Sequence, residues 1–185
     1  MALVWQAGRA RRAPGPPARR DAGAAARPSG SELVNAVAES DVRLRLADVP
    51  DPEIPVLSIV DLGIVRHVRV AEGGAVEVGL SPTYSGCPAT SVIKASVEAA
   101  LRRGGYREVR VVDVLAPPWT TAWISAEGHR KLHDFGIAPP GAGPVTCPRC
   151  GSQDTTKLSE FGSTPCKALY RCTRCLEPFD HFKCL

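Results

Sequence analysis

Four cysteines near the end of the chain, in the pairs Cys147-Pro148-Arg149-Cys150 and Cys172-Thr173-Arg174-Cys175, carry the strongest chemical signal. A CxxC pair closes a tight turn in which two thiolates converge on one ion, and two such pairs supply the four sulfurs of a tetrahedral zinc site. Gly151, directly after Cys150, gives the first turn its backbone freedom. The 21 residues between the pairs slightly exceed the usual spacing of about 15 to 20. A two-strand excursion accounts for the excess: Thr155-Thr156-Lys157-Leu158-Ser159 and Ala168-Leu169-Tyr170-Arg171 read as short strands around the turn Gly162-Ser163-Thr164-Pro165. Disulfides and free thiols are the alternatives. Zinc is preferred over iron because a module of about 40 residues has too thin a core to fold unaided and needs no redox centre to explain it.

Cys87 offers different chemistry. Pro88 suits the first position of a helix, which places Cys87 at the N-cap, under unpaired N–H groups and the positive end of the dipole. A thiol there ionises more easily, and the thiolate is the form that binds iron or attacks an electrophile. Asp51, Glu53 and Asp61 lie in a proline-stiffened loop that can fold back toward the same end of the sheet, where carboxylates would help hold a hard or borderline cation. The plainer alternatives are a half-buried cap cysteine and ordinary turn and cap carboxylates. Cys166 and Cys184, with His181 three residues before the latter, are left over. They read as a second labile site, as substitutes for a knuckle ligand, or as small buried side chains of the ribbon. His129 and His133 stand four apart, but no Glu follows His129 and no third ligand is evident. His67 reads as a solvated strand residue.

Helices and strands must position these groups. Ser31-Glu32 opens a helix with Leu33, Val34 and Val37 on one face, followed by a less regular stretch through Leu44, Leu46 and Val49, and Pro50-Asp51-Pro52 stops it. Asp51 to Val56 is expected to be an extended loop, since proline biases its predecessor away from helix. A hairpin follows, Ile64 to Val70 and Ala75 to Leu80 around Glu72-Gly73-Gly74. Ala89 to Arg102 is helical, with Val92, Ile93, Val97, Ala100 and Leu101 facing the sheet and Gly104-Gly105 ending the run. A third strand over Arg107 to Leu115 and a last helix over Ser125 to Phe135 complete an α-β-β-α-β-α order. The fold class is α+β, a small mixed sheet packed with helices plus a C-terminal zinc ribbon. The expected divisions are 1–30, an extension; 31–140, the α+β domain; and 144–185, the ribbon.

Composition bounds the function. Six of the seven cysteines lie after position 146, in metal-type spacing, which points to a reducing compartment and a cytoplasmic protein. No stretch approaches about 18 consecutive apolar residues, so no membrane span is expected. The first thirty residues hold six Arg and one Asp, a charge of +5 against +4 for the whole chain, which leaves −1 for the remainder. A basic surface for nucleic acid is therefore not expected on the folded part. Rich in Ala, Gly, Pro and Arg, the first segment reads as disordered; a transit peptide is the alternative. No nucleophile–base pair, phosphate loop or dinucleotide fingerprint suggests catalysis by the chain itself.

Asp51-Pro52-Glu53-Ile54-Pro55, Asp61-Leu62-Gly63-Ile64-Val65, Ser85-Gly86-Cys87-Pro88 and Pro117-Pro118-Trp119, in this order, resemble the SufT-like domain family linked to iron–sulfur protein maturation. Further motifs join the cysteine pairs: Thr120-Thr121, Trp123-Ile124-Ser125, Phe135-Gly136-Ile137-Ala138-Pro139-Pro140, Ser159-Glu160-Phe161-Gly162-Ser163-Thr164, Cys166-Lys167-Ala168 and Glu177-Pro178-Phe179-Asp180. Together they resemble the PaaD (PaaJ) family of phenylacetyl-CoA epoxidase components, from about residue 33 to the last. The resemblance implies an accessory role in aerobic phenylacetate breakdown. There a diiron oxygenase component epoxidises phenylacetyl-CoA, a flavin/iron–sulfur reductase feeds it electrons, and the PaaD-like component serves maturation of these centres. Cys87, with Asp51, Glu53 and Asp61, would then hold iron or an iron–sulfur cluster in transit, while the zinc-bearing ribbon docks the client. A structural component without carrier chemistry and a nucleic-acid-binding ribbon are the rival readings. Ala122 departs from the Asp expected in the family, and the arginine-rich extension lies outside its pattern.

Overall fold

The computed structural model describes residues 30–84 and 86–184, and side chains from position 38 onward. The expectations for the first segment, for the Leu33, Val34 and Val37 stripe, and for Ser85 of the cysteine motif lie outside these residues. Helix α1 runs Gly30–Leu46. Its described inward face carries Val42 and Leu46, both fully buried, while Leu44 points outward.

Between α1 and the sheet the chain was expected to be extended. It closes on itself instead: Asp51 N–H donates to Leu57 O at 2.8 Å, Leu57 N–H to Ile54 O at 2.9 Å. Asp51 is the cause, since its Oδ1 accepts from the N–H groups of Glu53 (2.9 Å) and Ile54 (2.8 Å) and folds the two prolines into a turn. Ile54, Leu57, Ile59 and Leu62 are thereby buried in the core.

Strands β1 (Val65–Val70) and β2 (Val76–Leu80) pair antiparallel, and β3 (Val109–Asp113) joins β2 in parallel, giving the order β1-β2-β3 and a mixed sheet as expected. Helix α2 (Ala89–Arg103) makes the connection from β2 to β3. Its buried stripe is Ala89, Ile93, Val97 and Leu101, a clean four-residue repeat. Val92, expected to face the sheet, is 52% exposed, because it falls just outside that stripe. His67 on β1 stands opposite Gly79, where a Cβ would collide with the imidazole. The ring is half-buried and meets Glu77 at 3.1 Å rather than standing in solvent.

A short 3₁₀ turn, Thr121–Trp123, is capped by the Thr120 hydroxyl. Helix α3 (Ala126–Asp134) follows, capped by Ser125. Gly63 makes this arrangement possible: φ is +67° and any Cβ there would run into the Trp123 backbone. The C-terminal ribbon is a three-stranded antiparallel sheet, β4 (Thr155–Ser159), β5 (Lys167–Cys172) and β6 (Pro178–Phe182). The third strand was not anticipated from sequence. Ribbon and sheet share side chains: Phe182 and Cys166 belong to the main core, where Phe182 meets Trp119 at 6.1 Å between centroids. Among the described residues no helix is long and apolar enough to cross a membrane.

Candidate metal-handling sites

The two knuckles bring Cys147, Cys150, Cys172 and Cys175 together, with all four Sγ atoms within 4.8 Å of one another. Cys147 and Cys175 Sγ are 3.7 Å apart, and Cys150 and Cys172 Sγ 3.6 Å. Disulfides need about 2.05 Å. A tetrahedron of sulfurs at about 2.3 Å from a central zinc has edges near 3.8 Å, so the spacing fits a metal and not cross-links. The knuckles are alike in backbone: Gly151 after Cys150 has φ +72° and Leu176 after Cys175 has φ +65°. The second thus repeats the left-handed turn with a side chain that disfavours it. Cys175 N–H donates to Cys172 Sγ at 3.4 Å, and this bond leads the pull of the Cys172 thiol down to about 7. At Cys175 the Glu177 N–H lowers the thiol, but burial and the crowding sulfurs push it up to about 12. Four sulfurs so close cannot all ionise without a cation among them, which is the electrostatics of a metal cage.

A second group gathers where the Asp51 turn meets the start of α2. Cys87, Asp51 and Glu53 line a cavity of about 20 Å³, with Thr83 and Thr90 on its wall. Cys87 was expected at the helix N-cap. Pro88 holds that position with already helical dihedrals, φ −66° and ψ −23°, and no side chain caps the turn. Proline's fixed φ extends the helical geometry back by one residue, so Cys87 stands just ahead of the helix. Its carbonyl accepts from Thr90 N–H at 3.2 Å.

Both carboxylates are raised above their ordinary pKa. For Asp51 burial is the main cause, opposed by its two backbone N–H partners and by Lys167; for Glu53 it is burial, then the charge of Asp51. Burial and a hydrogen bond with Cys87 drive the Tyr84 phenol to about 12, so it stays an O–H donor beside that sulfur. Cys166 approaches Glu53 from the ribbon: its thiol is 3.9 Å from Glu53 Oε2 and 3.0 Å from Thr164 Oγ1. Sequence reasoning gave no role to Tyr84, nor to the buried Lys167, which it quoted only within the Cys166-Lys167-Ala168 motif. Tyr84 directly precedes the Ser85-Gly86-Cys87-Pro88 motif, a signal that was available; nothing local shows that the Lys167 side chain is buried, only 5% exposed, and pairs with Asp180 at 3.5 Å.

Asp61 is elsewhere. Its carboxylate accepts from Ser58 N–H (3.0 Å), Ser58 Oγ (2.9 Å) and Lys131 Nζ (2.7 Å), pinning α3 to the loop before β1. Cys184 is exposed with its thiol toward Gly141 O at 3.5 Å, and His181 is buried with Nδ1 on Ala138 O at 3.2 Å. Among the described residues the four ribbon cysteines form the one close group of three or more His, Cys, Asp or Glu ligand atoms. His129 and His133 belong to no such group.

Comparison with known proteins agrees with both halves. A family described as "PaaD zinc beta ribbon domain" matches residues 138–183, and one described as "Iron-sulfur cluster assembly protein" matches residues 39–114. The chain is 49% identical to a putative 1,2-phenylacetyl-CoA epoxidase component from Escherichia coli (strain K12), over 76% of this chain and 89% of that protein. It is 33% identical to an "Fe-S protein maturation auxiliary factor" from Porphyromonas gingivalis, over 51% of this chain and 90% of the relative. A crystal structure of a domain of unknown function from Bacillus anthracis superposes with a TM-score of 0.52 at 27% identity, covering 54% of this chain and 95% of that one.

Proposed function

Because this chain belongs to the PaaD family of putative 1,2-phenylacetyl-CoA epoxidase components, we propose that it is an accessory factor that matures the iron–sulfur or diiron centres of the epoxidase. Cys87, beside Glu53 and Asp51 in one small cavity, is the observation that carries the reading. A thiol and two carboxylates suit a borderline ion that must be taken up and passed on. Asp61 supports the site from a distance, by fixing the loop that ends in β1. The cargo is iron, and the clients are the oxygenase and reductase components, which the chain serves without acting on phenylacetyl-CoA itself.

The ribbon, proposed as the unit 144–185 beside the α+β unit 31–140, holds zinc through Cys147, Cys150, Cys172 and Cys175. Zinc there is structural: four protein sulfurs close the coordination shell and leave no position for substrate. Its place is to fold the surface that meets the client.

Cys87→Ser tests the reading in cells that depend on the epoxidase. The protein should accumulate normally while the oxygenase loses most activity or the reductase lacks iron; full activity would contradict the proposed role. One rival, a structural component of the complex, is favoured by the description of the Escherichia coli relative as part of an epoxidase. That rival predicts co-purification at constant ratio with an active assembly, indifferent to Cys87.

A further inference from the structure

The segment 138–146, which leads from α3 to the first cysteine knuckle, supplies most of the wall of a cleft of about 200 Å³; His133 of α3 and His181 of β6 supply the rest. None of these residues lines the Cys87 cavity or belongs to the sulfur cage. Ala138, Pro139, Pro144 and Val145 give the cleft apolar walls, and no Lys, Arg, Asp or Glu lines it. Gly141 and Gly143 also line it; neither has a positive φ, and a Cβ on either would meet nothing within 4 Å. Neither backbone nor packing calls for glycine there, and the missing side chains leave space at the wall.

One polar group is set into that wall. His181 is 9% exposed, and its Nδ1 lies 3.2 Å from Ala138 O. A carbonyl can only accept, so Nδ1 carries the proton and Nε2 of the neutral ring is left as an acceptor. Burial holds the pKa below the ordinary histidine value, which keeps the ring neutral. Among the described residues nothing donates to Nε2. Nor is the atom sealed in, since every fully buried side-chain nitrogen or oxygen has a partner; beside so buried a ring, the space it opens on is the cleft. The imidazole is held in place by the Tyr170 ring, edge-on at 5.4 Å, and by the Ala138 bridge to β6.

We propose that this cleft binds one uncharged aromatic ring that carries a hydrogen-bond donor, a phenol group being the simplest, with the donor on His181 Nε2. Size sets the ring: a cavity of about 150 Å³ takes one benzene, whereas sites for larger ligands run to about 300–1,000 Å³. The apolar, chargeless wall selects a neutral group, and a phenol keeps its O–H at neutral pH. The lone acceptor fixes which end enters first. The inference goes beyond the reading of Cys87 and does not depend on it.

Phenol is the probe, titrated near neutral pH into the full-length zinc-loaded protein carrying isotope-labelled histidine and followed by NMR. Saturable binding is expected, with the His181 Nε2 resonance moving upfield as it accepts a hydrogen bond and with cross-relaxation between the ring protons and the methyls of Ala138 and Val145. An Nε2 resonance that stays put at saturation, or ring contacts to other residues instead, overturns the inference without any substitution. Anisole keeps the ring and the oxygen but has no O–H; it should bind about fivefold to tenfold more weakly and leave Nε2 unmoved, and equal binding of the two would also overturn it. His181→Phe keeps a ring against Tyr170, and Ala138 O still accepts from Phe182 N–H. This variant should retain zinc and lose about tenfold or more in phenol affinity; a zinc-loaded variant that binds phenol as the wild type does contradicts the assignment. Adding the proposed client components to the phenol-loaded protein separates the two sources of such a group: release of phenol points to a tyrosine side chain of the client, retention to a free phenolic compound.

Discussion

Asp61 shows how a single carboxylate can look like a ligand and act as a tie. Burial alone would raise its pKa, but the Lys131 ammonium and the Ser58 N–H and hydroxyl outweigh it and hold the group below the ordinary value. A carboxyl depressed in the folded state contributes stability that is present above its unfolded pKa, about 3.9, and is lost as pH falls through the folded value. Asp61→Asn should therefore flatten the acid limb of a stability–pH profile below about pH 4. Lys131→Met should cost about 1–2 kcal/mol in denaturant titration near neutral pH, modest because the lysine is about one-third exposed. Spacing placed Asp51, Glu53 and Asp61 in one loop, but it could not tell which would face Cys87. That depends on the turn Asp51 builds and on Lys131, 70 residues from Asp61.

At the scale of elements, local patterns were legible and contacts between elements were not. The hairpin, the Ile93, Val97 and Leu101 stripe of α2 and the cysteine knuckles all depend on near neighbours, and spacing predicted them. Val92 was misassigned because an apolar side chain at the stripe's border satisfies the same pattern. β6 escaped notice because it opens on Pro178, which reads as a turn. Two positions of left-handed backbone, Gly63 and Leu176, test the geometry. Gly63→Ala should cost about 2 kcal/mol or more, from a positive φ and the adjacent Trp123 backbone. In the second knuckle the change runs the other way. Leu176→Gly relieves a left-handed cost of about 1–2 kcal/mol against roughly 0.5–1 kcal/mol of lost chain freedom. A small rise in the thermal midpoint of the zinc-loaded protein should follow; a fall would mean that Leu176 makes contacts worth more than its strain.

Across the whole molecule, the ribbon is joined to the sandwich rather than appended to it. Ala138 N–H donates to Asp180 O at 2.8 Å and Phe182 N–H to Ala138 O at 2.9 Å, and Phe182 seals against Trp119. Phe182→Ala should cost about 3–5 kcal/mol and loosen Cys166 from Glu53 while the zinc cage, formed by residues outside that contact, keeps its metal. No periodicity in either segment forecasts this joint, because it pairs residues more than 40 positions apart. The central claim is that one small cavity at Cys87 takes up iron while the ribbon holds zinc. Iron and zinc per chain, measured on protein isolated without oxygen from iron-replete cells, test it most directly. Wild type should carry one zinc and a substoichiometric but definite amount of iron, and Cys87→Ser one zinc and no iron. Equal iron in the two proteins, or no zinc in either, would contradict the account.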